Sequence, residues 1–167
     1  FPWRRKHFKS IYIAYKKARY FDRYIGFFED TYNKDWDKLS DLNEYMLRHL
    51  LAMLGIEIPI YKLSDYDFES KKSDLVLDMC KMAGADLYIF GAQGRNYADV
   101  ESFKRENIQV YFQEYKHPIY VQLHHAKFSP YLSVIDLLFN HGDESLNIIK
   151  SGNIRKNDLF DTYFSRD

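Results

Sequence analysis

The residues Ser-Pro-Tyr-Leu-Ser-Val-Ile-Asp-Leu-Leu-Phe-Asn-His-Gly at positions 129–142 form the stretch that best defines the fold. Ser129 suits the N-cap of a helix, Pro130 suits its first position, and Gly142 suits a left-handed stop at its end. Apolar side chains cover most of the circumference between those ends, which predicts a buried helix.

One narrow stripe of this predicted helix is polar. Ser133, Asp136 and Asn140 follow Ser129 at steps of four, three and four residues, so they share one face. The stripe either faces water or lines a pocket in which Asp136 orients a catalytic or ligand group. Because a carboxylate among apolar neighbours needs polar partners, Asp136 is the first candidate catalytic residue. Ser133 and Asn140 are candidate substrate-binding residues.

Composition indicates one globular domain of 167 residues, 46% apolar and 29% charged. The 24 basic and 24 acidic residues cancel, which gives no global field for nucleic acid or an anionic membrane. A single cysteine excludes an internal disulfide framework and a multi-cysteine zinc site. No apolar run reaches the roughly 18–20 residues of a membrane span, and no secretory signal is visible. We therefore expect a cytoplasmic protein.

The apolar spacing in the first third of the chain predicts helices. The first of them is amphipathic, and its apolar face includes Trp3, Ile11 and Ala14. Residues 1–21 include seven basic residues and no acidic one. The basic residues are interpreted as a solvated face, and a phosphate site is the alternative. Further helices are expected at about 21–32 and 40–54.

The middle of the chain predicts a βαβαβ unit near 58–113. Expected strands at 58–63, 87–90 and 108–112 alternate with expected helices at 73–83 and 98–106. The fold class is therefore α/β, a three-layer-like domain with a short, mainly parallel sheet and a helical N-terminal third. Residues 1–167 are treated as a single domain with a helical part (about 1–55), an α/β part (about 56–150) and a loosely held tail (151–167).

Loops after the predicted strands supply candidate binding residues, because ligands gather at the carboxyl ends of parallel strands. The first loop contains Ser64 and Asp65. The second contains Gly91, Gln93, Gly94 and Arg95, in which backbone N–H groups and a guanidinium could hold an anion. An ordinary tight loop with a surface arginine is the alternative. The motifs GxxxxGK[ST] and GxGxxG are absent, so no cofactor is evident.

A further strand is expected at 119–124, with Gln122 and His124 on one face. His124 is the preferred general base, His117 is the reserve, and Gln122 is a candidate substrate-binding residue; a surface histidine is the alternative for His124. His124 and His125 alternate faces, so no metal site is predicted.

These segments, taken in order, resemble the WbqC-like family of bacterial surface-polysaccharide gene clusters. The resemblance rests on the motifs Trp3-Arg4-Arg5-Lys6-His7, Leu39-Ser40-Asp41-Leu42-Asn43, Gly84-Ala85-Asp86, Gly91-Ala92-Gln93-Gly94-Arg95-Asn96-Tyr97, Phe112-Gln113-Glu114-Tyr115, and Phe128 through Asn140. It implies a cytoplasmic protein of O-antigen or related glycan assembly, with a glycyl or small-acyl transferase activity. Family members usually begin with a further segment containing Gln-Pro and aromatic-Pro patterns, which this chain lacks, so the expected site is incomplete.

Two functions follow as hypotheses. The first is an enzyme that transfers an aminoacyl or acyl group to a nucleotide-linked amino sugar, with His124 as the base and Asp136 orienting it. The second is a nucleotide-sugar or glycan-binding protein without chemistry, or a partner in a glycan-assembly complex. The oligomeric state does not follow from the sequence.

Overall fold

The computed structural model describes residues 3–123 and 127–164. In chain order they form α1 Trp3–Tyr15, α2 Phe21–Asn33, α3 Leu39–Met53, α4 Lys72–Met82, β1 Leu87–Phe90, α5 Val100–Arg105, β2 Gln109–Phe112, α6 Val134–His141, α7 Ser145–Ser151 and α8 Lys156–Phe164. Helices combined with a short parallel sheet confirm the predicted α/β class. Across these two ranges, every helix is too short or too polar to span a lipid bilayer.

The chain divides into two compact units. The first comprises Phe1–Ile58 and His117–Gly152, and the second comprises Pro59–Lys116 and Asn153–Asp167.

The core of the first unit is built around Phe139 of α6. The Phe139 side chain is fully buried, and its ring stacks on Tyr15 with the two centroids 4.8 Å apart. Phe21 and Phe28 of α2 lie 5.9 and 5.6 Å from it, centroid to centroid. The predicted buried helix is therefore confirmed, and it joins α1 and α2 through an aromatic cluster.

The predicted start of that helix is wrong. Ser129 and Pro130 precede it, and α6 begins at Val134 after Ser133, whose backbone is extended with φ −61° and ψ 153°. Ser129 is held elsewhere, because its backbone N–H and carbonyl both bind the carboxamide of Gln122. Residues 129–133 are therefore a loop held by a side chain from an earlier segment.

Gly142 ends α6 as predicted. Its φ of +56° and ψ of −123° are favourable only for glycine, and an added Cβ would lie 2.6 Å from Cε1 of Tyr20.

Gly142→Ala is expected to lower the free energy of unfolding by about 2–4 kcal/mol, through backbone strain and the clash with Tyr20. Urea unfolding measures this change. Gly26→Ala is the matched control, because Gly26 lies within α2 with nothing near its Cβ position, and it should be stabilised by about 0.5–1 kcal/mol. Equal behaviour of the two variants would contradict the steric account.

The second unit contains a sheet in which β1 and β2 pair in parallel, from Leu87 opposite Gln109 to Phe90 opposite Phe112. Both strands were expected. Phe90 of β1 packs with Cys80, Phe103 and Ile108 in the buried core of this unit. Burial raises the pKa of the Cys80 thiol, which suits a core residue rather than a nucleophile.

Two other expected strands do not form. No strand forms at 58–63, Ile58 and Tyr61 are about 60% exposed, and a 3-10 helix lies at Leu63–Asp65. Pro59 removes a backbone donor that a ladder needs. The described part of the 119–124 segment also contains no strand. The sheet within the described residues therefore has two strands, and the βαβαβ prediction holds only for its second half.

The described part of the expected tail contains a helix. Residues Lys156–Phe164 form α8, with Leu159 only 7% exposed. The side-chain amide of Gln113 donates to Oδ1 of Asn153 at 2.8 Å, within the same unit.

Candidate functional site

Asp136 is a buried carboxylate in the first turn of α6, within the first unit. Its side chain is 4% exposed. The Tyr120 hydroxyl donates to Oδ2 at 3.0 Å, the Gln122 amide lies 3.4 Å from the same oxygen, and the Tyr15 hydroxyl also donates to the carboxylate. Neutral donors therefore satisfy this carboxylate, and across the described residues no lysine, arginine or histidine forms an ion pair with it.

Gln122 holds the wall of the site in place. Its Nε2 donates to the Ser129 carbonyl at 2.8 Å, and its Oε1 accepts from the Ser129 N–H at 2.9 Å. One carboxamide thus binds both polar groups of a residue, as a neighbouring strand would. This bonding fixes the loop before α6 against the 120–122 segment and aims Gln122 at Asp136.

Asp136 opens onto a pocket of about 170 Å³. Its described lining consists of Ala14, Tyr15, Gln122, Leu123, Lys127, Ser129, Leu132 and Asp136. The Asp136 side chain is buried, while Lys127 is exposed. The pocket therefore offers an acid at one position and a cation at another.

The structure brings only part of the predicted polar stripe to this pocket. Ser133 is exposed at the N-cap and makes no side-chain capping bond. Asn140 donates from Nδ2 to the Asp136 backbone carbonyl at 2.7 Å. The Asn140 side chain thus bonds within α6, and the proposed contacts of Ser133 and Asn140 with a substrate stay a prediction.

The two predicted histidines stand differently. His124 lies outside the described residues, so its role as a base stays a prediction. His117 accepts the Tyr131 backbone N–H at Nε2, at 3.1 Å, and its Nδ1 lies 2.8 Å from the Pro118 carbonyl. An acceptor at Nε2 and a donor at Nδ1 define a neutral imidazole whose lone pair is already engaged.

The glycine loop belongs to the second unit. The carboxylate of Glu114 accepts from Arg95 Nη2 at 2.9 Å, and the guanidinium lies 4.7 Å from the centre of the Phe112 ring. Gly94 is buried against Phe90, where an added Cβ would lie 2.5 Å from the Phe90 Cβ. Close packing therefore explains this glycine, while Gly91 and Gln93 are exposed beside it.

Ser64 and Asp65 also lie in the second unit, in an exposed 3-10 turn. The Ser64 hydroxyl lies 3.4 Å from Oδ1 of Asp65. Binding of an anion by the glycine loop or of a sugar by this turn remains a prediction.

Tyr15 and Tyr120 are the site residues that sequence reasoning missed. Tyr15 lies one helical turn from Ile11, on the face of α1 that packs inward with Phe8, so the sequence pattern indicates a core residue. The contact between its hydroxyl and Asp136 is apparent only once α6 is placed against α1. Tyr120 shares a face with Gln122 in the alternating 119–123 segment, which is the one available signal.

Burial, and then the adjacent Asp136 carboxylate, raise the pKa of the Tyr15 hydroxyl well above its ordinary value of 10. Unfolded Tyr15 therefore loses its proton at a lower pH than folded Tyr15. Its contribution to stability is complete below about pH 10 and is lost as the pH rises through the folded pKa.

Tyr15→Phe is expected to make the free energy of unfolding fall less steeply above about pH 10, by at most about 1.4 kcal/mol per pH unit. Urea unfolding at a series of alkaline pH values measures the slope. Tyr32→Phe is the control, because burial also raises the pKa of Tyr32, but no carboxylate contributes to that shift. The slope should change more in Tyr15→Phe than in Tyr32→Phe, and an equal change in the two variants would contradict the contribution of Asp136.

A second pocket in the first unit, of about 370 Å³, is lined by Trp3, His7, Tyr32, Leu39, Leu42, Asn43 and Met46. The rings of Trp3, His7 and Tyr32 meet edge to face, with centroids 5.6–6.1 Å apart. Among the described residues, no group of three or more His, Cys, Asp or Glu side chains could hold a metal ion, in either pocket or elsewhere.

The chain is similar in sequence to known proteins. The model of a family described as "WbqC-like protein family" matches residues 1–148. The "Uncharacterized protein Rv1507c" of Mycobacterium tuberculosis is 28% identical over 150 residues, which are 89% of this chain and 64% of that relative. The chain thus spans less than two thirds of the length of this relative. No solved structure matches the chain.

Proposed function

Because the chain belongs to the WbqC-like protein family, we propose that it works in the cytoplasm in the assembly of a bacterial surface polysaccharide. In this proposal it binds a nucleotide-linked amino sugar in the pocket at Asp136 and transfers a glycyl or small acyl group to the sugar nitrogen. One observation carries this proposal: the buried Asp136 carboxylate faces a pocket and forms no ion pair with a cation among the described residues.

The charge arrangement supports an amino sugar as the ligand. A buried carboxylate that only neutral groups satisfy can still attract a cation, and the ammonium of an amino sugar supplies one. Lys127 lines the same pocket and is exposed, so it suits the phosphate that joins a sugar to its nucleotide. A carboxylate and a lysine ammonium in one pocket therefore suit a ligand that carries both an ammonium and a phosphate.

The size of the pocket supports the same ligand. About 170 Å³ is below the range of about 300–1,000 Å³ that encloses drug-sized ligands. We therefore expect the pocket to enclose the sugar ring and to leave the nucleotide outside.

The chemistry requires a base. The sugar ammonium first loses a proton, and the resulting amine attacks the carbonyl carbon of an activated donor. The C–N bond forms as the bond to the leaving group of the donor breaks. His124 is the predicted base, and Asp136 is expected to hold the nitrogen in place. The engaged lone pair of His117 makes it the poorer candidate.

A binding protein without chemistry is the second candidate. The hydrogen bonds around Asp136 favour it as much as they favour an enzyme, because they explain recognition and do not by themselves supply a base. The two candidates differ in whether His124→Ala abolishes turnover while affinity stays the same.

A thermal-shift screen against nucleotide-linked amino sugars tests the proposal, with UDP-linked glucosamine as the first probe. Samples that shift are then incubated with acyl thioester and aminoacyl ester donors, and the sugar is analysed by mass spectrometry. A modified sugar supports the enzyme, and a shift without a modified sugar supports the binding protein. No shift with any amino sugar contradicts both.

Lys127→Ala is expected to weaken the binding of UDP-linked glucosamine about 5-fold, while leaving the weaker binding of free glucosamine unchanged. The reason is the loss of one exposed lysine–phosphate interaction, worth about 1 kcal/mol. Isothermal titration with both ligands measures the difference. Lys71→Ala, an exposed lysine of the second unit, is the control. A similar loss for free glucosamine would contradict the assignment of Lys127 to phosphate.

A further inference from the structure

We propose that the outer face of α1 binds an anionic phospholipid surface. This face carries a group of exposed cations followed by two more just after the helix: Arg5, Lys6, Lys9, Lys16 and Lys17. The proposal is independent of the pocket at Asp136.

The orientation of α1 fixes these charges outward. Phe8, Ile11 and Tyr15 pack against the core of the first unit, so the opposite face of the helix is left to solvent. Arg5 and Lys9 lie one turn apart on α1. The Lys16 backbone N–H bonds the Tyr12 carbonyl at 2.9 Å, as in a helix, so Lys16 extends the same row.

The cations are not neutralised by their own chain over the described ranges. Arg4, nearer the inner face, pairs with Asp35 at 2.7 Å. None of Arg5, Lys6, Lys9, Lys16 and Lys17 has a carboxylate within 4.0 Å among the described residues. The overall net charge of zero hides this segregation, because the first acidic residue of the chain is Asp22.

Two exposed apolar residues favour a membrane over a nucleic acid. Tyr12 and Ile13 lie among the lysines and are 43% and 56% exposed. A basic helix that also shows aromatic and aliphatic side chains suits the headgroup region, where cations meet lipid phosphates and apolar groups enter the acyl boundary. The phosphate backbone of a nucleic acid presents no apolar surface to Ile13, whereas the acyl boundary of a membrane does. An exposed helix face can also lie on a flat lipid surface without a binding groove.

Co-sedimentation of the full chain with lipid vesicles tests the proposal. We expect binding to vesicles of phosphatidylglycerol and phosphatidylcholine, little binding to pure phosphatidylcholine, and release as the salt concentration rises. Each cation near an anionic surface contributes about 1 kcal/mol, so the double variant Lys9→Gln and Lys16→Gln should bind about 30-fold more weakly.

The matched control is the double variant Lys71→Gln and Lys150→Gln, which removes two exposed lysines from other parts of the chain. It should bind as the unchanged protein does. Ile13→Ser should also weaken binding, because it removes the exposed aliphatic group without changing charge. All three variants alter exposed side chains, and circular dichroism checks that they fold.

Several outcomes would overturn the proposal: equal binding to neutral vesicles, equal losses in the control and the Lys9/Lys16 variant, or no binding to anionic vesicles. Tighter binding to a single-stranded RNA than to the anionic vesicles would assign the face to nucleic acid instead.

Discussion

Asp136→Asn is expected to weaken the binding of UDP-linked glucosamine about 10- to 150-fold. The substitution keeps the shape of the side chain but removes the charge that would attract the ammonium, and hydrogen bonds to charged groups contribute about 1.5–3 kcal/mol. Isothermal titration measures the affinity. Asp41→Asn, an exposed carboxylate in α3, is the control and should change nothing.

The same substitution also affects stability, for a separate reason. Tyr15, Tyr120 and Gln122 all donate to the Asp136 carboxylate. The amide nitrogen of asparagine would place a donor against those donors, so the free energy of unfolding should fall by about 1–3 kcal/mol. Titration must therefore be done well below the melting temperature. Asp136→Asn protein that is folded and binds as tightly as the unchanged protein would contradict the assigned role.

Phe139→Ala is expected to have the largest effect on stability, a loss of about 3–5 kcal/mol in the free energy of unfolding. The ring is fully buried, stacks on Tyr15 and contacts the aromatic residues of α2. Its removal leaves a cavity between α1, α2 and α6. Phe139 also holds the Tyr15 ring, and Tyr15 lines the pocket and donates to Asp136. We therefore expect Phe139→Ala to change the shape of the pocket as well.

Urea unfolding measures the effect of Phe139→Ala. Ile119→Ala is the control, since Ile119 is 82% exposed and its truncation should cost less than about 0.5 kcal/mol. A loss below about 1 kcal/mol in Phe139→Ala would contradict the view that the aromatic cluster holds the first unit together.

Local sequence signals predicted most of the helices. Gly55, Gly84 and Gly142 have positive φ where helices were expected to end, and the buried face of α6 follows from its continuous apolar run. These features depend on residues a few positions apart. Periodicity and end signals therefore suffice to find them.

The start of α6 could not be predicted in the same way. Ser129-Pro130 is a good local signal for a helix start, but the Gln122 carboxamide binds both backbone groups of Ser129 from seven residues away. Here one side chain makes the backbone hydrogen bonds that a neighbouring strand would make, and such a contact leaves no periodic pattern in the sequence. The strand expected at 58–63 failed for a related reason, since the composition of the segment suits a strand but no strand among the described residues pairs with it.

The candidate site was predicted in part. The stripe pointed to Asp136, and alternation in the 119–123 segment pointed to Gln122, which is 5% exposed. Tyr15 comes from α1, far away in sequence, and its contact with Asp136 depends on how α1 packs against α6. The loop containing Arg95 belongs to the second unit, and its arginine is engaged by Glu114.

The central prediction is that an amino sugar binds at Asp136. An NMR titration of isotope-labelled protein, with UDP-linked glucosamine and then with its N-acetylated form, tests this most directly. We predict that the largest amide shifts fall on Tyr15, Gln122, Ser129 and Asp136, and that the N-acetylated sugar, which lacks the ammonium, binds at least about tenfold more weakly. Shifts centred on the loop of Gly91 and Arg95, or equal affinity for the two sugars, would contradict it.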